Sequence, residues 1–124
     1  MPEYFMPGKD TPAFNKLPAF TQGYIEAAFG TLSEELSGKG FFDISEETLA
    51  EIRKDCDAFY EAHKDDIEIL VSDEAHPDYT EVSAGYDFWL TREGHGAGFW
   101  SRDFRGESEE AMNRLDEAAQ KMGP

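Results

Sequence analysis

Residues 84–91 read Ala84-Gly85-Tyr86-Asp87-Phe88-Trp89-Leu90-Thr91, and the reading of this run decides the fold class. It is rich in aromatic residues and half-alternating, the pattern of an extended segment with one face on a core, so the sequence predicts a strand. Glu93-Gly94-His95-Gly96-Ala97-Gly98 then turns the chain, and Phe99-Trp100-Ser101-Arg102 returns it as a second strand. Glycines on both sides of His95 admit left-handed backbone angles or the close approach of another group. A two-stranded hairpin is marginal by itself, so helices must cover one of its faces. The expected class is α+β, with three helices, one long and acidic-backed, packed on a small antiparallel β-hairpin.

Upstream lies the clearest helical pattern. Ser45 is a good N-cap, and Glu46 and Glu47 sit favourably against the N-terminal dipole. Leu49, Ile52, Cys56, Phe59, Tyr60, His63, Ile67, Leu70 and Val71 follow at helical spacing and share one stripe, unbroken to about Val71. A first helix is predicted from Thr21 to Leu32, closed by Ser37-Gly38-Lys39-Gly40, and a last one from Glu107 to Met122, stopped by Gly123-Pro124. Residues 1–17 hold Pro2, Pro7 and Pro12, with Pro18 at their edge, and read as an extended proline-rich arm. Its Tyr4, Phe5, Met6 and Phe14 are too apolar for a free tail. Residues 18–124 form the single expected α+β domain.

The chain has 124 residues and a formal charge of −16, from 27 acidic and 11 basic side chains. Such a field repels nucleic acid and anionic lipid and attracts basic protein surfaces. Between residues 45 and 83 there are thirteen acids against three bases, so −10 of the charge sits in about a third of the chain. On the long helix Glu47, Glu51, Glu61, Asp65 and Glu68 occupy the face opposite the apolar stripe, with Asp55 and Asp57 at its margins and Lys54 the one base well inside it. Carboxylates three and four residues apart repel one another by about 0.2–0.5 kcal/mol per pair. A solvated face explains such a row without any function; a row that imitates a phosphate backbone gives the repulsion a use. Glu47, Glu51, Asp57, Glu61, Asp65 and Glu68 are therefore the candidate partner-binding residues.

The segment around His95 is the second candidate. Asp87, Trp89, Arg92, His95, Gly96, Gly98, Trp100 and Arg102 make up its hairpin motif. Asp87, Asp103 or Arg92 beside His95 would supply acid–base chemistry, but no serine or cysteine nucleophile keeps a fixed spacing to it. No lysine follows the glycines, so this is not a P-loop. The structural alternative is a tight turn whose histidine bonds the backbone. His63, His76 and His95 share no ligating spacing, so no metal is expected, and no cofactor either. Cys56, the lone cysteine, reads as a small core residue in a reducing compartment. No apolar run approaches the ~20 residues of a membrane helix, and residues 1–7 carry no secretory signal. The expected location is the cytoplasm of a host cell.

The stretch AGYDFWLTREGHGAGFWSR (84–102) resembles the signature of a family of small uncharacterised phage and plasmid proteins, in which a segment like DFWLTRNGHGAGFWDR follows a helix. FTQGYIEAAFGT and ISEETLAEIRKDCDAFYEAH resemble that family's two helices, so the likeness spans roughly residues 19–122. Glu93 stands where the family pattern has asparagine, and Ser101 where it has aspartate, which removes one partner an enzymatic histidine would use. The resemblance implies a phage or mobile-element setting and no established activity. Together with the acidic face it points to an inhibitor of a host defence system, of CRISPR or restriction type, that binds a basic protein or nucleoprotein complex without touching nucleic acid or membrane itself. A small hydrolase or nucleotide-binding enzyme centred on His95 is the alternative, and a structural phage accessory protein is another.

Overall fold

The computed structural model describes residues 12–31, 43–94, 98–99 and 102–123. Every regular element in them is helical: α1 (Pro12–Asn15), α2 (Ala19–Thr31), α3 (Glu46–Val71), α4 (Glu81–Arg92) and α5 (Glu107–Met122). The expected α+β class and its β-hairpin are overturned. Residues 84–91 lie inside α4, and Phe99 and Arg102 belong to an irregular connector between α4 and α5; no strand occurs among the described residues.

The ends of α4 explain why it is a helix. Thr80 and Ser83 form a reciprocal capping box, Glu81 sits in the first turn and Arg92 in the last; each satisfies an orphan amide or complements the dipole. Gly94 follows with φ +69°, a left-handed turn that ends helices readily. Between these signals Ser83, Ala84, Gly85, Asp87, Phe88, Trp89, Leu90 and Thr91 are all buried. A helix covered on nearly every side has no polar stripe, so its 3.6-residue period vanishes from the sequence.

Glycine makes that coverage possible. A Cβ on Gly85 would lie 1.8 Å from the Phe20 carbonyl oxygen, and one on Gly23 would lie 1.9 Å from that of Val82. Helices α2 and α4 thus touch backbone to backbone. Phe20 of α2 and Glu81 of α4 meet α3 at residues 59–60. Farther along, Ile25 and Phe29 cluster near Leu49 and Ile52, and Arg92 reaches Asp55. Both helices therefore run antiparallel to α3 and parallel to each other. In an isolated helix Gly→Ala stabilises by about 1 kcal/mol. Here the added methyl must separate two backbones, so Gly85→Ala is expected to lower stability by about 1–3 kcal/mol in a urea melt. A gain would refute the close crossing.

Helix α3 begins where the sequence placed it, with the Ser45 hydroxyl accepting from the Thr48 amide at 3.1 Å. Cys56, Phe59, Ile67 and Leu70 are its buried residues. At His63 (φ −125°, ψ 22°) the helix kinks, which no proline or glycine in the sequence announces. Helix α5 packs along α3, with Ala111, Met112, Leu115 and Ala119 buried. Residues Pro12–Asn15 correct the extended-arm reading at its end: they form one helical turn, with Phe14 and Leu17 buried beside Ile25 and Phe29, while residues 1–11, with Tyr4, Phe5 and Met6, lie outside the described residues. Proline is well tolerated at such a first helical position. No helix of the described residues is long and apolar enough to cross a membrane.

Candidate functional site

All six candidate partner-binding acids lie on the solvent side of α3: Glu47, Glu51, Asp57, Glu61, Asp65 and Glu68 are exposed. At 100° per residue they span an arc of roughly 120°, and from Glu47 to Glu68 the row is about 30 Å long. The cations of neighbouring helices reach other carboxylates. Arg92 of α4 pairs with Asp55 at 3.0 Å, and Arg114 of α5 pairs with Asp66 at 2.7 Å. None of the six forms an ion pair with a described residue. Ser72 donates to Glu68 at 2.9 Å, which fixes that carboxylate without neutralising it. The outer face is thus left with a net negative charge, with Lys54 of α3 lying within its arc, while Arg92 and Arg114 pair with acids at its margins.

The motif residues are spent differently. Asp87 is fully buried, and Arg102 grips it through two bonds, Nε to Oδ2 at 2.9 Å and Nη2 to Oδ1 at 2.6 Å. The Tyr79 hydroxyl donates to Asp87 Oδ2 at 2.8 Å, and the Arg102 guanidinium lies over the Tyr79 ring. Burial pushes the Asp87 carboxyl above the ordinary carboxylate range, and Arg102 and Tyr79 draw it back part of the way. Arg92 donates to the Gly123 carbonyl, the Tyr24 hydroxyl and Asp55, with its guanidinium over the Phe88 ring. The Thr91 hydroxyl accepts from the Phe99 amide at 3.2 Å, and a Cβ on Gly98 would meet that hydroxyl at 2.3 Å. Trp89 belongs to the main core.

Asp87, Trp89, Arg92, Gly98 and Arg102 therefore do not line a hairpin. They lock α4 to α2, to the end of α5 and to the described residues of the connector before α5, whose Phe99 and Phe104 enter the core. His95, Gly96 and Trp100 lie outside the described residues. Two of the groups proposed to assist His95, Asp87 and Arg92, are held in these structural networks, and Asp103 pairs with Arg105 at 3.1 Å on the surface. Cys56 is buried, and burial pushes its thiol up to about 12, so at neutral pH it stays protonated.

Sequence reasoning missed Tyr79, Thr91 and Arg114, and it placed Asp55 at the margin of the acidic face without its Arg92 partner. Asp87 and Arg102 are fifteen residues apart and Arg114 and Asp66 forty-eight, so no local spacing links them. The local signal that marks the start of α4, the Thr80 and Ser83 capping pair, went unread. Comparison of the chain with protein-family models, curated proteins and solved structures gave no match.

Proposed function

We propose that this chain is an inhibitor, encoded by a phage or mobile element, that blocks a host defence complex of CRISPR or restriction type by binding a basic nucleic-acid-binding surface. One observation carries the reading. The outer face of α3 presents six exposed carboxylates with no ion-pair partner among the described residues, although arginines on α4 and α5 pair with acids at its margins. Such a row along one helix offers a lysine- and arginine-lined channel the charge pattern of a nucleic-acid backbone. The likeness of residues 84–102 to small phage and plasmid proteins supplies the biological setting.

The test keeps the fold and deletes the charge. Glu47→Gln, Glu51→Gln, Glu61→Gln, Asp65→Asn and Glu68→Gln together leave the core side of α3 untouched, and relief of repulsion offsets any lost propensity. Affinity for the partner recovered from host lysate is expected to fall at least about ten-fold, because steering and desolvated ion pairs are both lost. Affinity of the parent is expected to drop steeply between low and physiological salt. Calorimetry at two salt concentrations reads both. Equal affinities with a flat salt response would remove the reading.

A further inference from the structure

A cavity of about 250 Å³ opens where α3 passes the first residues of α2 and α4. Its lining includes Pro18, Phe20 and Tyr60 together with the carboxylates of Asp57, Glu61 and Glu81. The space far exceeds the roughly 10–15 Å³ that one water needs and falls short of the roughly 300–1,000 Å³ of small-molecule sites. It has the size for one long side chain. Tyr60 donates to one oxygen of Glu81, leaving the other without a bond from the described residues. None of Asp57, Glu61 and Glu81 forms an ion pair with a described residue, whereas Asp55, Asp66, Asp87 and Asp103 each have an arginine. The amide dipoles at the starts of α2 and α4 bring about half a positive charge each, less than three carboxylates supply in the opposite sense.

We infer that this cavity is a socket for an arginine side chain of the protein partner. The inference rests on the inhibitor reading and adds to it the anchor residue that the acidic face presents to a basic surface. An arginine stem lies along Pro18 and Phe20, its guanidinium covers the Tyr60 ring, and its fork meets Glu81 and Glu61. An anion is repelled by the three carboxylates, and an uncharged chain leaves them uncompensated. Asp57 and Glu61 also belong to the outer face of α3, so the socket continues that face into the bundle.

The probe is N-acetyl-arginine methylamide, titrated into nitrogen-15-labelled protein and followed by amide chemical shifts, with N-acetyl-norleucine methylamide as the uncharged control. Saturable shifts are expected at Phe20, Thr21, Tyr60 and Glu81, absent with the control. Glu81→Gln keeps an acceptor for Tyr60 and is expected to weaken binding about ten-fold. Ala19→Phe fills the space without changing charge and is expected to abolish the shifts. Weak shifts spread evenly along α3, or saturation unaltered by both variants, would overturn the socket. Failure here is separable from failure of the inhibitor reading. If arginine ignores the cavity while the five-acid variant still loses its partner, the socket falls and the face stands. Saturation of the cavity with unchanged partner affinity in that variant, which lacks Glu61, removes the face and with it the partner's arginine as the occupant.

Discussion

Arg102→Met is expected to destabilise the fold by about 3–5 kcal/mol, the usual consequence of stranding one member of a buried ion pair. Asp87 is fully buried, so losing both guanidinium bonds leaves its carboxylate with only the Tyr79 hydroxyl. The same ion pair fastens the connector that carries Phe99 and Phe104 into the core. Replacing the whole network by apolar groups, with Asp87→Leu and Tyr79→Phe added, is expected to recover most of the loss, because no buried charge or hydroxyl is then left without a partner. The variant also has a pH signature. Burial already raises Asp87, and without Arg102 that rise is larger. A raised carboxyl means the folded state binds more protons than the unfolded state between the two pKa values, so stability falls as pH rises through that window. The deficit of Arg102→Met against the parent is therefore expected to be smaller at pH 5 than at pH 7. Urea melts at both values decide it, and an equal deficit with no recovery in the triple variant would show that the pair is not what holds the connector.

Phe59→Ala is the second large effect, also about 3–5 kcal/mol. The Phe59 ring stacks on Phe88 at 4.1 Å, meets His63 at 4.7 Å, and has Phe20 and Phe99 at 6.0 and 6.3 Å. It therefore joins α2, α3, α4 and the connector, and truncation opens a void bordered by rings from each. Those rings sit on elements pinned by the Gly23 and Gly85 crossing and by the Asp87 network, so the site collapses little and the cost stays near the upper end. Phe59→Leu keeps most of the volume and loses the ring stacking, for an expected cost of about 1–2 kcal/mol. A thermal melt of Phe59→Ala within a degree of the parent would contradict the placement of this residue at the centre of the core.

By itself the sequence determined three helices: α2, read from Thr21 to Leu32 and found at Ala19–Thr31, and the two that have one wet side. On α3 and α5 the polar and apolar stripes are separate, and the caps at Ser45 and Gly123 mark ends, so residues 46–71 and 107–122 were readable as helices with the right faces inward. The same separation exposed the candidate acids of α3 to direct reading. Local rules reach this far because amphipathic period and capping involve residues only a few positions apart.

Tertiary structure decided the rest. The kink at His63 and the turn of helix at Pro12–Asn15 depend on what packs against them. The segment 84–91 is helical because α2, α3 and the connector cover it, and coverage erases the stripe by which a helix is recognised. Its aromatic residues then look like strand residues, and Gly85 looks like a weakness rather than the point where two backbones touch. Asp87 and Arg92 looked available for chemistry until Arg102, Tyr79, Tyr24 and Gly123 closed on them from far along the chain. A charged residue in isolation carries no mark of its partner; burial forces the pairing, and burial is a property of the assembled fold.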